Sequence, residues 1–160
     1  MVVRYTELQN NVKLSRDHQY NTIYTFNRYC NRRNWSGSIY FCLSNTPYAG
    51  YEDEDHPFAI SVRLLKTIRC IECESYFESC FDSVPEDLYS QTFDILKKEL
   101  GSNLKKKEDT PYLRWLADNG FAFIDRLWPN QEGREVAIPY DWISSDVMFQ
   151  ESVRRNQQMY

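Results

Sequence analysis

The feature that most constrains the fold is a helix with both ends written into the chain, from Val84 to Leu100. Ser83 and Glu86 have capping-box spacing, Pro85 stands in the first turn where no N–H is needed, and Gly101 follows the last residue. A second, shorter helix is predicted beyond Asp109 and Thr110. Pro111 lies in its first turn, Tyr112, Trp115 and Leu116 face inward, and Gly120 ends it.

Strand signals surround these helices. Phe121 to Trp128 and Glu135 to Pro139 are apolar-rich runs separated by Pro129, Asn130, Gln131, Glu132 and Gly133, the pattern of a β-hairpin. Ile39 to Leu43 is β-branched and aromatic, a short N-terminal strand. A loop with Pro47, Gly50 and the acidic run Glu52, Asp53, Glu54, Asp55 follows it. Upstream, Ser15 as N-cap and the spacing of Tyr20, Ile23, Tyr24, Asn27 and Cys30 predict an amphipathic helix that ends near Arg33, stopped by Trp35, Ser36 and Gly37.

Phe58 to Phe81 carries two patterns at once. Phe58, Ile60, Val62 and Leu64 alternate as in a strand, while Leu65, Ile68, Cys73, Phe77, Cys80 and Phe81 share a helical face; helix is predicted for most of the segment. The order of charge opposes that choice, because Arg63, Lys66 and Arg69 precede Glu72, Glu74 and Glu78, the reverse of what the helix dipole favours. A last helix is predicted from Asp146 to Arg155. No repeat or linker divides the chain, so the expectation is a helix-rich α+β fold in one compact domain, residues 1–160.

Composition narrows the function. The net charge of −4 disfavours generic polyanion binding, and five cysteines, an odd number, favour free thiols in a reducing, cytoplasmic compartment. Neither a secretory leader nor a membrane-spanning stretch is legible. The only histidines, His18 and His56, lie in polar surroundings, and no nucleophile-elbow pattern occurs. All five glycines stand alone, which excludes the clustered-glycine loops that cradle nucleotide phosphates. The expectation is a protein that is not an enzyme and holds no cofactor.

Four groups of residues remain as candidate sites. Cys70, Cys73 and Cys80 have thiols that suit zinc, but Ile71 and Glu72 make a poor knuckle turn, and the plainer reading of small core thiols is preferred. Arg28, Arg32, Arg33 and Trp35 form a basic-aromatic cluster, and Glu52 to Asp55 a solvated acidic loop; both supply residue types that anchor protein interfaces. Between Val84 and Tyr140 the order helix, short helix, hairpin resembles a winged helix. That resemblance implies a recognition helix at Pro111 to Asn119 with Arg114, a wing tip at Gln131 to Arg134, and phosphate contacts from Lys105, Lys106 and Lys107.

With 16% aromatic residues and no catalytic or nucleotide signature, the chain reads as an interaction protein. It is expected to be a small inhibitor or accessory factor of phage or mobile-element type, acting on a larger protein or nucleoprotein partner. A winged-helix nucleic-acid-binding regulator is the alternative, and a zinc-stabilised module the third reading.

Overall fold

The computed structural model describes residues 2–17, 38–42, 58–73, 84–125, 135–142 and 146–155. Among them the chain is α+β, with eight strands and two α-helices: β1 (Val3–Leu8), β2 (Lys13–Asp17), β3 (Ser38–Cys42), β4 (Phe58–Leu64), β5 (Ile68–Cys73), α1 (Glu86–Leu100), α2 (Tyr112–Asp118), β6 (Phe121–Asp125), β7 (Glu135–Pro139) and β8 (Met148–Arg155). Strands therefore outweigh helices, a correction to the helix-rich expectation. None of the described helices is long and apolar enough to cross a membrane.

All eight strands belong to one sheet, in the order β1-β5-β6-β7-β3-β2-β4-β8. β5 and β6 run parallel and the other pairs antiparallel, with α1 and α2 in the connection between β5 and β6. A flat sheet in this order is impossible. β5 stands second and β4 seventh, which in a flat sheet would be about 24 Å apart. Yet Leu65–Thr67 alone connects them, and four Cα steps from Leu64 to Ile68 span at most about 15 Å. The sheet must curl. The connection from β1 to β2, first and sixth in the order, imposes the same bend through Gln9–Val12.

Both corners are built locally. Asn11 has a φ of 72°, a left-handed conformation that Asn tolerates, and the Val12 N–H donates to Gln9 O at 3.3 Å to close a turn. Asn11 N–H to Leu64 O and Leu64 N–H to Val12 O, each 2.9 Å, carry the ladder around the bend. The Thr67 hydroxyl stitches the corners together, accepting from Asn10 N–H at 3.3 Å and donating to Gln9 Oε1 at 3.4 Å. A register shift between Ser61 and Val62, where β4 meets β8, adds curvature.

Curling creates two cores. On the strand-lined face, Leu8, Leu14, Phe41, Val62, Leu64, Cys70, Ile124, Ile138 and Met148 come together from all eight strands of the sheet. On the other face, α1 and α2 lay Leu88, Leu96, Tyr112, Leu113, Trp115 and Leu116 over Val3, Ile71, Cys73, Phe121, Phe123 and Ala137. Alternation of side chains assigns each residue its face: Ala122 and Ile124 go to one, Phe121 and Phe123 to the other. Because β6 and β7 are covered on both faces, residues 121–124 and 136–139 read as continuous apolar runs, whereas β5 carries Arg69 and Glu72.

The helix at Val84–Leu100 is present, but starts at Glu86. Pro85 is its N-cap and makes no side-chain cap hydrogen bond; Ser83, the other half of the predicted capping box, lies outside the described residues. Gly101, φ 57°, donates its N–H to Lys97 O and ends it. α2 follows the prediction closely, with Pro111 as N-cap and a buried Tyr112, Trp115 and Leu116. Two other helix predictions are overturned. Phe58–Leu64 and Ile68–Cys73 are strands, and Met148–Arg155 is a strand instead of the final helix. In β4 and β5, β-branched and apolar residues found pairing partners across the sheet and outweighed a weak 3.6-residue pattern; β8 is held as a strand by its ladder with β4. Likewise Ser15 lies within β2 and caps no helix; the rest of that predicted helix, from His18 on, lies outside the described residues.

Candidate functional site

The thiols are the first candidates to be decided. Cys70 and Cys73 are both fully buried, but on opposite faces of the sheet, Cys70 in the strand-lined core and Cys73 beneath the helices. In a strand, residues three apart point to opposite sides, so the two sulfurs cannot share one zinc ion. The zinc candidacy of this pair is withdrawn, and the core-thiol reading describes both. Burial pushes the Cys70 thiol up to about 12, leaving it protonated and unreactive at neutral pH. Cys80 lies outside the described residues, and no cluster of three or more His, Cys, Asp or Glu suited to a metal occurs among the described ones.

The winged-helix elements occur in the predicted order but are put to a different use. α1 and α2 form the crossover between β5 and β6, and α2 packs against β6 and β7 with Tyr112, Leu113, Trp115 and Leu116 buried. The strands β6 and β7 lie inside the sheet, between β5 and β3, and the predicted wing tip, Gln131 to Arg134, lies outside the described residues. Arg114 is engaged by acid on two sides, with Nε 3.7 Å from Asp118 and Nη1 3.4 Å from Asp141, which reduces what it can offer a phosphate. Arg134 lies outside the described residues.

Lys105, Lys106 and Lys107 stand on the connector between the helices, and its backbone is clamped. Asn119 accepts the Lys105 N–H at 2.8 Å and donates to Lys105 O at 3.0 Å, while the Trp115 indole N–H donates to the same oxygen at 2.7 Å. Asn119 also donates to Trp115 O at 3.0 Å, so one buried amide ties α2 to the connector. Lys105 and Lys106 are exposed, as are Lys97 and Lys98 at the C-terminal end of α1, where cations complement the helix dipole. Among the described residues, none of these lysines forms an ion pair. Sequence reasoning found Lys105 to Lys107 but missed their clamp, since Asn119 is an unremarkable residue after a helix until the fold brings it to Lys105.

A second feature went unread in the sequence. At the corner between β4 and β5, a cleft of about 280 Å³ is lined by Lys66, Thr67, Ile68, Arg69, Gly120, Trp142 and Val147. The Arg69 guanidinium lies 4.9 Å from the centre of the Phe121 ring, and its Nη2 would be 3.7 Å from a Cβ placed on Gly120. Gly120 has a φ of 84°, which lets α2 turn straight into β6 and leaves that wall bare. Read along the chain, Lys66 and Arg69 were part of a helix's charge pattern; only the corner reveals their common cleft.

The interface residues singled out in the sequence, Arg28, Arg32, Arg33, Trp35, Glu52, Asp53, Glu54 and Asp55, lie outside the described residues. A buried carboxylate inside the sheet was not anticipated: Glu72 on β5 accepts from Arg4 Nε at 2.9 Å, directly across from it on β1. Compared with known protein families and with curated proteins, the chain matches none.

Proposed function

We propose that this chain is a non-enzymatic binding module, an accessory factor or inhibitor that docks on an acidic surface of a larger protein through its lysine-bearing end. The observation that carries the reading is the clamped connector: Lys105 and Lys106 stand on a backbone held by three hydrogen bonds, Lys97 and Lys98 end the preceding helix, and among the described residues no carboxylate pairs with any of them. Cations on a pre-ordered backbone lose little conformational freedom on binding, and unpaired ones need not first break an ion pair. Arg114, held by two aspartates, contributes to the shape of this end more than to its free charge.

Affinity capture with the tagged protein, before and after nuclease treatment, tests the reading. A stoichiometric protein partner should survive the nuclease, and the Lys105→Glu, Lys106→Glu double variant should weaken its capture roughly tenfold or more, about 1.4 kcal/mol. Capture that disappears with nuclease, or that is indifferent to the charge reversal, overturns it.

A further inference from the structure

We infer that the cleft at the β4–β5 corner binds a small planar organic anion, a ring carrying a carboxylate or phosphate group. The cleft is small, about 280 Å³, which suits a compact ligand. Two cations line it, exposed Lys66 and half-buried Arg69, and neither forms an ion pair among the described residues. Arg69 is held in place without being neutralised: on one side it stacks over Phe121, and on the other its cross-strand neighbour is Glu7, whose carboxylate takes a 2.6 Å hydrogen bond from the Tyr5 hydroxyl. A guanidinium anchored through its face keeps its N–H edge for an anion, and its planar fork matches both carboxylate and phosphate.

The apolar part of the lining supplies the preference for a ring. Trp142, partly buried against the strand-lined core, presents a flat apolar surface, and Ile68 and Val147 extend it. Gly120 adds no side chain, so the space beside Arg69 Nη2 stays open. The Thr67 hydroxyl is already engaged with Asn10 and Gln9, which fixes the corner. Asp146, next to Val147 in the chain, already has a partner of its own. This site is separate from the lysine-bearing end, and neither reading depends on the other.

Titration calorimetry of the protein with benzoate, phenyl phosphate and inorganic phosphate tests the inference. Saturable binding of both aromatic anions at millimolar concentration is expected, at least about tenfold tighter than that of inorganic phosphate. Arg69→Gln should weaken both aromatic anions about tenfold or more, Lys66→Gln less, and Trp142→Leu should abolish the preference for the ring. Lys66 is exposed, so its variant remains informative if replacement of Arg69 perturbs folding. No saturable binding of either aromatic anion, equal binding of inorganic phosphate, or affinity unchanged in both the Lys66 and Arg69 variants overturns the assignment.

Discussion

The two faces of the curled sheet are filled with different chemistry. Beneath α1 and α2, rings interlock: Tyr112 meets Phe123 edge-on at 5.6 Å and Trp115 at 5.9 Å, and Tyr89 stacks on Trp115 at 5.1 Å. Their polar atoms are satisfied inside, Tyr112 by the Thr92 hydroxyl at 2.8 Å and Trp115 by Lys105 O. On the strand-lined face the filling is almost wholly aliphatic, with Phe41 the exception among its buried residues, and curvature of the sheet does the covering that helices do opposite. The difference teaches that aromatic richness is not in itself a surface signal. Tyr112, Trp115, Phe41, Phe121 and Phe123 are among the largest fully buried side chains, so rings that suggested recognition in the sequence serve packing and helix docking.

The largest expected effect is on the ringed face. Trp115→Ala removes a fully buried indole, two ring contacts and a clamp on the Lys105 connector, and should cost about 3–5 kcal/mol in urea unfolding. Leu64→Ala on the strand-lined face should cost about 2–4 kcal/mol, because aliphatic neighbours close over a cavity more readily than stacked rings do. A loss at Leu64 equal to or above that at Trp115 would break the contrast.

Tyr112→Phe sharpens the contrast at smaller scale. It leaves the buried Thr92 hydroxyl without its partner and should cost about 1–2 kcal/mol; adding Thr92→Val should return part of that loss, as a double-mutant cycle would show. Asn119→Ala should release the connector from α2 for about 1–2 kcal/mol, and faster amide hydrogen exchange at Lys105 than in the wild type is the readout.

The smallest effect is alkaline. Burial raises the folded Cys70 thiol from its ordinary 9.0 to about 12, and the hydrogen bond to Glu7, with burial, raises Tyr5 from 10.0 to about 12. Both groups shed their protons more readily when unfolded, so their contribution is fully present below pH 9 and is lost as pH rises from 9 to 12. Thermal melting across that range should show a decline that Cys70→Ala delays to the tyrosine part of the window.

Much of this was legible along the chain, for identifiable reasons. α1, α2 and the β6–β7 pair could be read because their signals are local: Pro85 and Gly101 bracket one helix, Pro111 and Gly120 the other, and the runs at Phe121 and Glu135 frame a polar turn sequence. β1 and β2 escaped because Arg4, Glu7 and Lys13 hide the alternation of edge and corner strands. β5 was misread for a subtler reason. A strand buried on both faces shows little alternation, and the sequence pairs Leu65 with Ile68 and Cys73 with Phe77 then mimic the three- and four-residue spacing of a helix.

The candidate sites divide in the same way. Lys105 to Lys107 announce themselves as a run of charge, and the sequence alone placed them at the entrance to α2. That their backbone is fixed, that Arg114 is occupied by Asp118 and Asp141, that Cys70 and Cys73 are separated by a sheet, and that Lys66, Arg69, Gly120 and Trp142 border one cleft were decided only by tertiary structure. Helix ends and turns depend on residues a few positions apart, whose backbone geometry is set by their own covalent chemistry. The course of a curled sheet depends on which strands find each other across the whole chain, and that choice is made by burial summed over both faces at once.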